Sequence, residues 1–359
     1  MALVDRAELD QTSTISRLES FTHSMQVIVR AKSRPKRFQQ LADLVRGKSY
    51  LLNSHTSREV QDAIERLFAC NHYDAVLFES VLMAGYLLPQ DVKIVIDQHN
   101  IEYELLLRTF QRETAWLRKW YNWLENRLLK PVEIRRCLRA DVVLVTSERE
   151  HLVLKGMVPD KPIEVVPNGV DIDYFHENDT RQELPGRIIF TGAMDYYPNV
   201  DAVLFFAQQC WPLIRDSLPD ATWQIVGRNP MPEVRKLAEL PGVTVTGSVS
   251  DVRPYLGAAE VAIAPLLIAG GTRLKILEAL AMQKAVVSTS VGCEGLSVVS
   301  GEHLIVEDLP QKFALAVIKL LRSSEARTAF GAAGRRLVEA EYRWERCGDR
   351  LLHALEKLS

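Results

Sequence analysis

Gly270-Gly271 closes the run 261–269, which is apolar but for Pro265, and a segment with apolar residues at helical spacing starts directly after it. The spacing predicts a strand, a glycine corner and a helix beginning near Thr272, whose first amides lack intrahelical acceptors and carry the positive end of the helix dipole. Such a corner suits a phosphate. Arg273 and Lys275 add positive charge that could balance a diphosphate. Glu278 falls six residues beyond Thr272, about 9 Å along a helix axis, where one carboxylate could accept both hydroxyls of a ribose. An ordinary capping corner with a salt-bridged or solvated Glu278 would use the same residues.

The elements that would hold such a corner can be read along the chain. Short β-branched or apolar runs at 75–78, 93–96, 142–145, 163–166, 187–191, 223–226, 243–245, 261–264, 285–288 and 304–306 alternate with amphipathic stretches, which predicts parallel sheets covered on both faces. A polar, turn-rich segment from Pro167 to Pro185 separates them into two groups. The reading is an α/β chain of two Rossmann-like domains: 1–170, a linker at 171–186, 187–340, and a C-terminal helix at 341–359 that packs back on the first domain. Doubly wound sheets bind ligands at the carboxyl ends of their strands, so a cleft between the two is the expected site. The first domain reads as incomplete. Residues 1–25 are polar, rich in Ser and Thr and free of glycine, and no opening strand is expected there.

Composition narrows the function classes. The 359 residues suit two domains, and 47% hydrophobic with 25% charged residues is enough for a full core. A net charge of −2 gives no overall electrostatic case for nucleic acid. Cys70, Cys137, Cys210, Cys293 and Cys347 are scattered without a paired spacing, which disfavours a disulfide framework or structural zinc and fits a reduced, cytoplasmic compartment. No apolar run reaches the length of a membrane span, and no signal peptide is expected at Met1. The Asn178-Asp-Thr180 triplet is therefore discounted as a glycosylation site. Asp171-Ile-Asp173 resembles a metal-binding pair but reads as part of a turn, and no metal site is expected. Neither a G-x-G-x-x-G nor a Walker pattern occurs.

Gly271-Thr-Arg-Leu-Lys-Ile-Leu-Glu-Ala279, followed by Val286-Val-Ser-Thr-Ser-Val-Gly292 and Glu294-Gly-Leu296, resembles the donor-binding region of family 4 glycosyltransferases of the GT-B fold. Val166-Pro-Asn-Gly-Val-Asp171 resembles that family's interdomain segment, Ile189-Phe-Thr-Gly192 the first strand and turn of its second domain, and Ile225-Val-Gly227 the next strand end. Asp97-Gln-His-Asn-Ile-Glu102 resembles its histidine-bearing loop. The resemblance implies retaining transfer of a sugar from a UDP-, GDP- or ADP-sugar to a glycan or lipid-linked acceptor in cell-surface polysaccharide assembly, with no cofactor and no strictly required metal. It implies His99 beside the donor sugar, Glu278 on ribose, and the Gly271 and Thr272 amides with Arg273 or Lys275 on phosphate. Gly192 would allow close approach to the same phosphates, Arg228 and the turn at 247–251 would border the base, and Glu102 is an acceptor-side candidate.

This chain departs from the family pattern at Gly270, eight positions before Glu278, where the family often carries the first of two glutamates separated by seven residues. That departure and the expected lack of an opening unit keep a non-catalytic scaffold open, with a sugar-nucleotide epimerase as a further alternative. Residues 108–139 hold nine Lys or Arg against Glu113, Glu125 and Glu133, with Trp116, Trp120, Tyr121 and Trp123 interleaved. One reading is a contact with the anionic inner face of a membrane. The preferred one makes the tryptophans core and the cations a solvated face. Arg30, Lys32, Arg34, Lys36 and Arg37 form a second basic cluster, read as a solvated loop.

Overall fold

The computed structural model describes residues 1–5, 22–30, 36–176 and 183–358. They divide into two compact units. The first comprises residues 1–98, 102–144 and 155–163; the second comprises His99–Ile101, Val145–Leu154 and Glu164–Ser359. The Asn178-Asp-Thr180 triplet, Lys32 and Arg34 lie outside the described residues.

Twelve strands are formed among the described residues: β1 (Ala2–Asp5), β2 (Val27–Arg30), β3 (Ala75–Glu79), β4 (Lys93–Gln98), β5 (Val142–Val145), β6 (Ile163–Val165), β7 (Arg187–Thr191), β8 (Thr222–Val226), β9 (Val243–Val245), β10 (Val261–Ala264), β11 (Ala285–Ser288) and β12 (Ile305–Val306). The order β3-β4-β5-β6 makes one sheet. The expectation of no strand near the N-terminus is corrected: β1 and β2 pair in parallel as a separate two-stranded sheet, with Ala2 opposite Val27. Val27–Arg30 alternates too briefly to stand out from its polar surroundings, and its partner lies more than twenty residues away.

The second unit is built on a six-stranded parallel sheet ordered β12-β11-β10-β7-β8-β9. Read from its other edge this is the doubly wound order 3-2-1-4-5-6, with the switch point between β7 and β10. Alternation along the strands feeds two cores. Ile188, Phe190, Trp223, Ile225, Val261 and Ile263 face one, where Phe206 and Trp223 pack edge to face with centroids 4.7 Å apart. Ile189, Val226, Ala262 and Ala264 face the other, against Ile276, Leu277 and Leu280. Near-continuous apolar strands follow from burial on both faces. The C-terminal helix Trp344–Glu356 belongs to this unit, with Trp344 against Gly169 and Lys357 paired to Glu164 at 2.7 Å.

In the first unit the helix Trp116–Arg139 buries Glu125, Leu129, Glu133 and Cys137 at four-residue intervals, one stripe of the helix. Both carboxylates cap other helices. Glu125 accepts from Ser49 Oγ at 2.5 Å and the Leu51 amide at 2.9 Å, ahead of Tyr50–Ser54. Glu133 accepts from the amides of Glu102 at 3.0 Å and Tyr103 at 2.9 Å, and from Gln98, at the start of Glu102–Arg112. Anionic acceptors at helix N-termini satisfy orphan donors and oppose the dipole. Burial pushes the Glu133 carboxyl up to about 8, against the pull of those two amides. The tryptophans are not core, which overturns the preferred reading: Trp116, Trp120 and Trp123 are 74%, 53% and 40% exposed. The buried stripe is taken by the two capping glutamates, Leu129 and Cys137, so the aromatic stripe lies on another face.

Candidate functional site

β7 and β10 diverge at the switch point, and the loops leaving their carboxyl ends hold most of the donor-site candidates. After β7, Gly192 adopts φ +152° and donates its amide to Val226 O at 3.0 Å. A methyl on Gly227 would collide with the Gly192 carbonyl, so the loops after β7 and β8 touch through two glycines. Asn199, buried at the start of the helix Tyr197–Phe205, donates through Nδ2 to Ala193 O at 3.0 Å and accepts Lys275 Nζ on Oδ1 at 2.5 Å. The Lys275 ammonium also lies 4.2 Å over the Phe190 ring. A methyl at Gly192 would stand 3.2 Å from that ammonium and 2.7 Å from Asn199 Nδ2. Gly192, Asn199 and Lys275 thus converge on one point beside the ends of β7 and β8. Desolvation drives the Lys275 amine down to about 7, with Arg273 adding to the effect and Glu278 opposing it. Desolvation raises the Glu278 carboxyl, and Lys275 partly offsets that.

The diglycine corner follows β10. The helix spans Leu274–Ala281, two residues later than the sequence predicts, because the Leu274 amide turns back to Thr272 O at 3.1 Å. Gly271 has φ +63°, and a side chain there would strike the carbonyl oxygen of His99. The corner therefore rests on the His99-Asn100 loop after β4, which belongs to the same unit. His99 is half-buried.

Two of the expected phosphate contacts, Gly271 and Arg273, are already engaged by the protein. The Gly271 amide is given to a protein acceptor, Glu150 Oε1, at 3.1 Å. Arg273 is 7% exposed, and its guanidinium donates to Gly271 O in its own loop and, across to another segment, to Val291 O at 3.0 Å, with Glu294 at 3.6 Å. Arg228 is exposed, and its carbonyl takes the Met194 amide at 2.8 Å. Beside it, a cavity of about 310 Å³ lined by Asn229, Arg235, Thr246, Gly247 and Ser248 opens past the ends of β8 and β9. Glu102 stands in the first unit as the opening residue of its helix. Asp171 makes a turn, accepting on Oδ1 the amides of Asp173 at 3.1 Å and Tyr174 at 2.8 Å.

Glu150 escaped the sequence reading. It is 3% exposed, and Oε2 accepts Thr146 Oγ1 at 2.6 Å and Ser147 Oγ at 3.1 Å while Oε1 holds the corner. Ser147-Glu-Arg-Glu150 does carry a capping-box spacing at the start of the helix Glu148–Lys155. That motif reveals a helix start but not that the carboxylate turns outward to Gly271. Close by, Arg149 pairs with Glu294 at 3.0 Å, which links this helix to Arg273.

The family model described as Glycosyltransferase Family 4 matches residues 13–174, and that described as Glycosyl transferases group 1 matches residues 185–323. Comparison with curated proteins returns no match. Among solved structures, the chain is similar to sucrose-phosphate synthase from Thermosynechococcus elongatus, with a TM-score of 0.67 at 19% identity over 86% of this chain and 79% of that one. It is similar to Anabaena HepE in complex with UDP and glucose, with a TM-score of 0.65 at 14% identity over 95% and 88% of the two chains. A third is TarM of S. aureus, in complex with fondaparinux, alpha-GlcNAc-glycerol and UDP, with a TM-score of 0.59 at 13% identity over 76% of this chain; the match spans only 52% of TarM. At these identities the structural likenesses speak for the fold. The two family models lie on the segments that build the switch-point site and the His99 loop, and the chain belongs to the family 4-like glycosyltransferases of the GT-B fold.

Proposed function

We propose that the chain transfers a hexose, with retention, from a nucleoside diphosphate donor to a glycan or lipid-linked acceptor in cell-surface polysaccharide assembly. The observation that carries this reading is the convergence of Lys275, Asn199 and Gly192 at the switch point, one helical turn from Glu278. A diphosphate placed there would return a full charge to Lys275 and take the Thr272 amide, which has no protein acceptor among the described residues. Because Gly271 and Arg273 are already engaged, Thr272 and Lys275 carry the phosphate contacts in this reading. Both favour the charge that builds on the departing diphosphate as the anomeric bond breaks. Glu278 would receive the ribose, the cavity beside Asn229 and Gly247 the base, and His99 would flank the sugar. Departure and attack on one face of the sugar, assisted by the leaving phosphate, needs no protein nucleophile. UDP is the first nucleotide to try, since HepE and TarM are both described with it.

The acceptor side rests on a different observation. No described helix is long and apolar enough to cross a membrane. Trp116, Trp120 and Trp123 nevertheless stand exposed on one helix, Arg127 stacks on Trp123 at 5.1 Å, and Glu125 and Glu133 are buried as caps, leaving the exposed face strongly basic. This combination supports peripheral contact with an anionic membrane face from the cytoplasm, with Glu102 a candidate acceptor contact.

Calorimetric titration with UDP-, GDP- and ADP-sugars tests the donor assignment. Saturable binding of at least one, followed by release of its nucleotide when an acceptor extract is added, is expected. Absence of binding by all three would leave a scaffold.

A further inference from the structure

Gly270 differs from its neighbour in why it must be glycine. Gly271 needs its positive φ, whereas Gly270 has no such backbone demand. What crowds it is one side chain: a methyl at position 270 would stand 2.7 Å from Asn100 Oδ1, and the three atoms nearest to it all belong to Asn100. The same oxygen lies 2.9 Å from where a Gly271 methyl would be. The carboxamide of Asn100 thus fills the space that a side chain at 270 would take. It is half-buried, and among the described residues it has no hydrogen-bond partner. The nearby Gly271 amide, which could have served it, is bound to Glu150.

A polar group held at a corner by steric complementarity, yet given no partner by the described residues, is suited to a ligand. A carboxamide offers one acceptor and two donors. A diphosphate could use only the donors, and Oδ1 is the atom that faces the corner. A sugar hydroxyl donates and accepts at once and matches both. We propose that Asn100 is a specificity-determining residue that binds a hydroxyl of the transferred sugar, in the place that residue 270 leaves vacant. This rests on the donor-site reading above and adds to it the group that recognises the sugar rather than the nucleotide.

The test compares UDP with UDP-glucose, GDP with GDP-mannose and ADP with ADP-glucose by titration calorimetry on the full chain, for wild type, Asn100→Ala, Asn100→Asp and Gly270→Ala. For the pair that binds, wild type is expected to hold the sugar nucleotide more tightly than the nucleotide. Asn100→Ala should keep nucleotide affinity within twofold and cut the sugar's advantage by fivefold or more. Asn100→Asp, which retains the acceptor oxygen, should restore most of it, and Gly270→Ala, which displaces Oδ1, should reproduce the loss. An unpartnered side chain can be removed without unfolding the chain, and unchanged melting temperatures are expected for both Asn100 variants. Wild-type and Asn100→Ala proteins with the same sugar advantage would overturn the role of Asn100, as would a wild type that gains nothing from the sugar while binding the nucleotide. A wild type that binds none of the six ligands overturns the donor site and this proposal together.

Discussion

Lys275 donates to Asn199 across 2.5 Å while its ammonium lies over the Phe190 ring at 4.2 Å, so the cation is fixed by one amide oxygen and one π-face. The amine titrates near 7 in the folded chain and near 10.5 when unfolded. Between those values the unfolded chain binds the additional proton, so this group makes stability rise with pH across that window and costs stability below it. Lys275→Met is expected to melt higher than wild type at pH 6, with the difference shrinking toward pH 10. A difference independent of pH would contradict this. A bound diphosphate should also restore the charge, giving proton uptake on binding at pH 8, measurable as a dependence of binding enthalpy on buffer.

Glu278→Ala should weaken nucleotide-sugar binding by about 1.5–3 kcal/mol, the range for hydrogen bonds to a charged acceptor. Titration calorimetry reads this directly as roughly a 10- to 150-fold change in Kd. Unchanged affinity would remove Glu278 from the site.

His99 bears on turnover more than on binding. His99→Ala should lower kcat with the true acceptor while donor KM moves little, the pattern of a contact stronger in the transition state. A wild-type kcat would refute it.

Glu150 braces the corner. Glu150→Ala leaves the Gly271 amide and two hydroxyls without their acceptor and should cost on the order of 1–3 kcal/mol in chemical denaturation. Glu150→Gln should recover most of that. Hydrogen exchange of the Gly271 amide should speed up in the alanine variant under native conditions, and an exchange rate equal to wild type would show that the brace does not act.

Replacing Trp116, Trp120 and Trp123 together with serine should leave the melting temperature unchanged, since all three are exposed. Sedimentation with phosphatidylglycerol vesicles should fall sharply, while phosphatidylcholine vesicles retain neither protein. Equal sedimentation of variant and wild type would discard the membrane contact.

Ten of the twelve strands can be read from the sequence to within two residues, since parallel strands buried on both faces are apolar throughout and stand out from their surroundings. The diglycine corner and Glu278 are legible too, because left-handed turns and helix starts leave local marks. Local pattern carries no information on which polar group meets which. Glu150, whose local sequence marks only a helix start, proves to hold Gly271, 121 positions away. Arg273 and Lys275 both read as phosphate ligands, yet one is taken up by the carbonyls of Gly271 and Val291 and the other stands beside Asn199. The tryptophans of Trp116–Arg139 read as core because composition favours burial of large aromatic rings. Only packing shows that the buried stripe is already taken by Glu125, Leu129, Glu133 and Cys137. Sequence alone thus determines which elements form and where the chain turns, through forces acting within a few residues. The tertiary structure decides which donors stay open to a ligand, because a hydrogen bond between distant segments exists only once the sheet has brought them together.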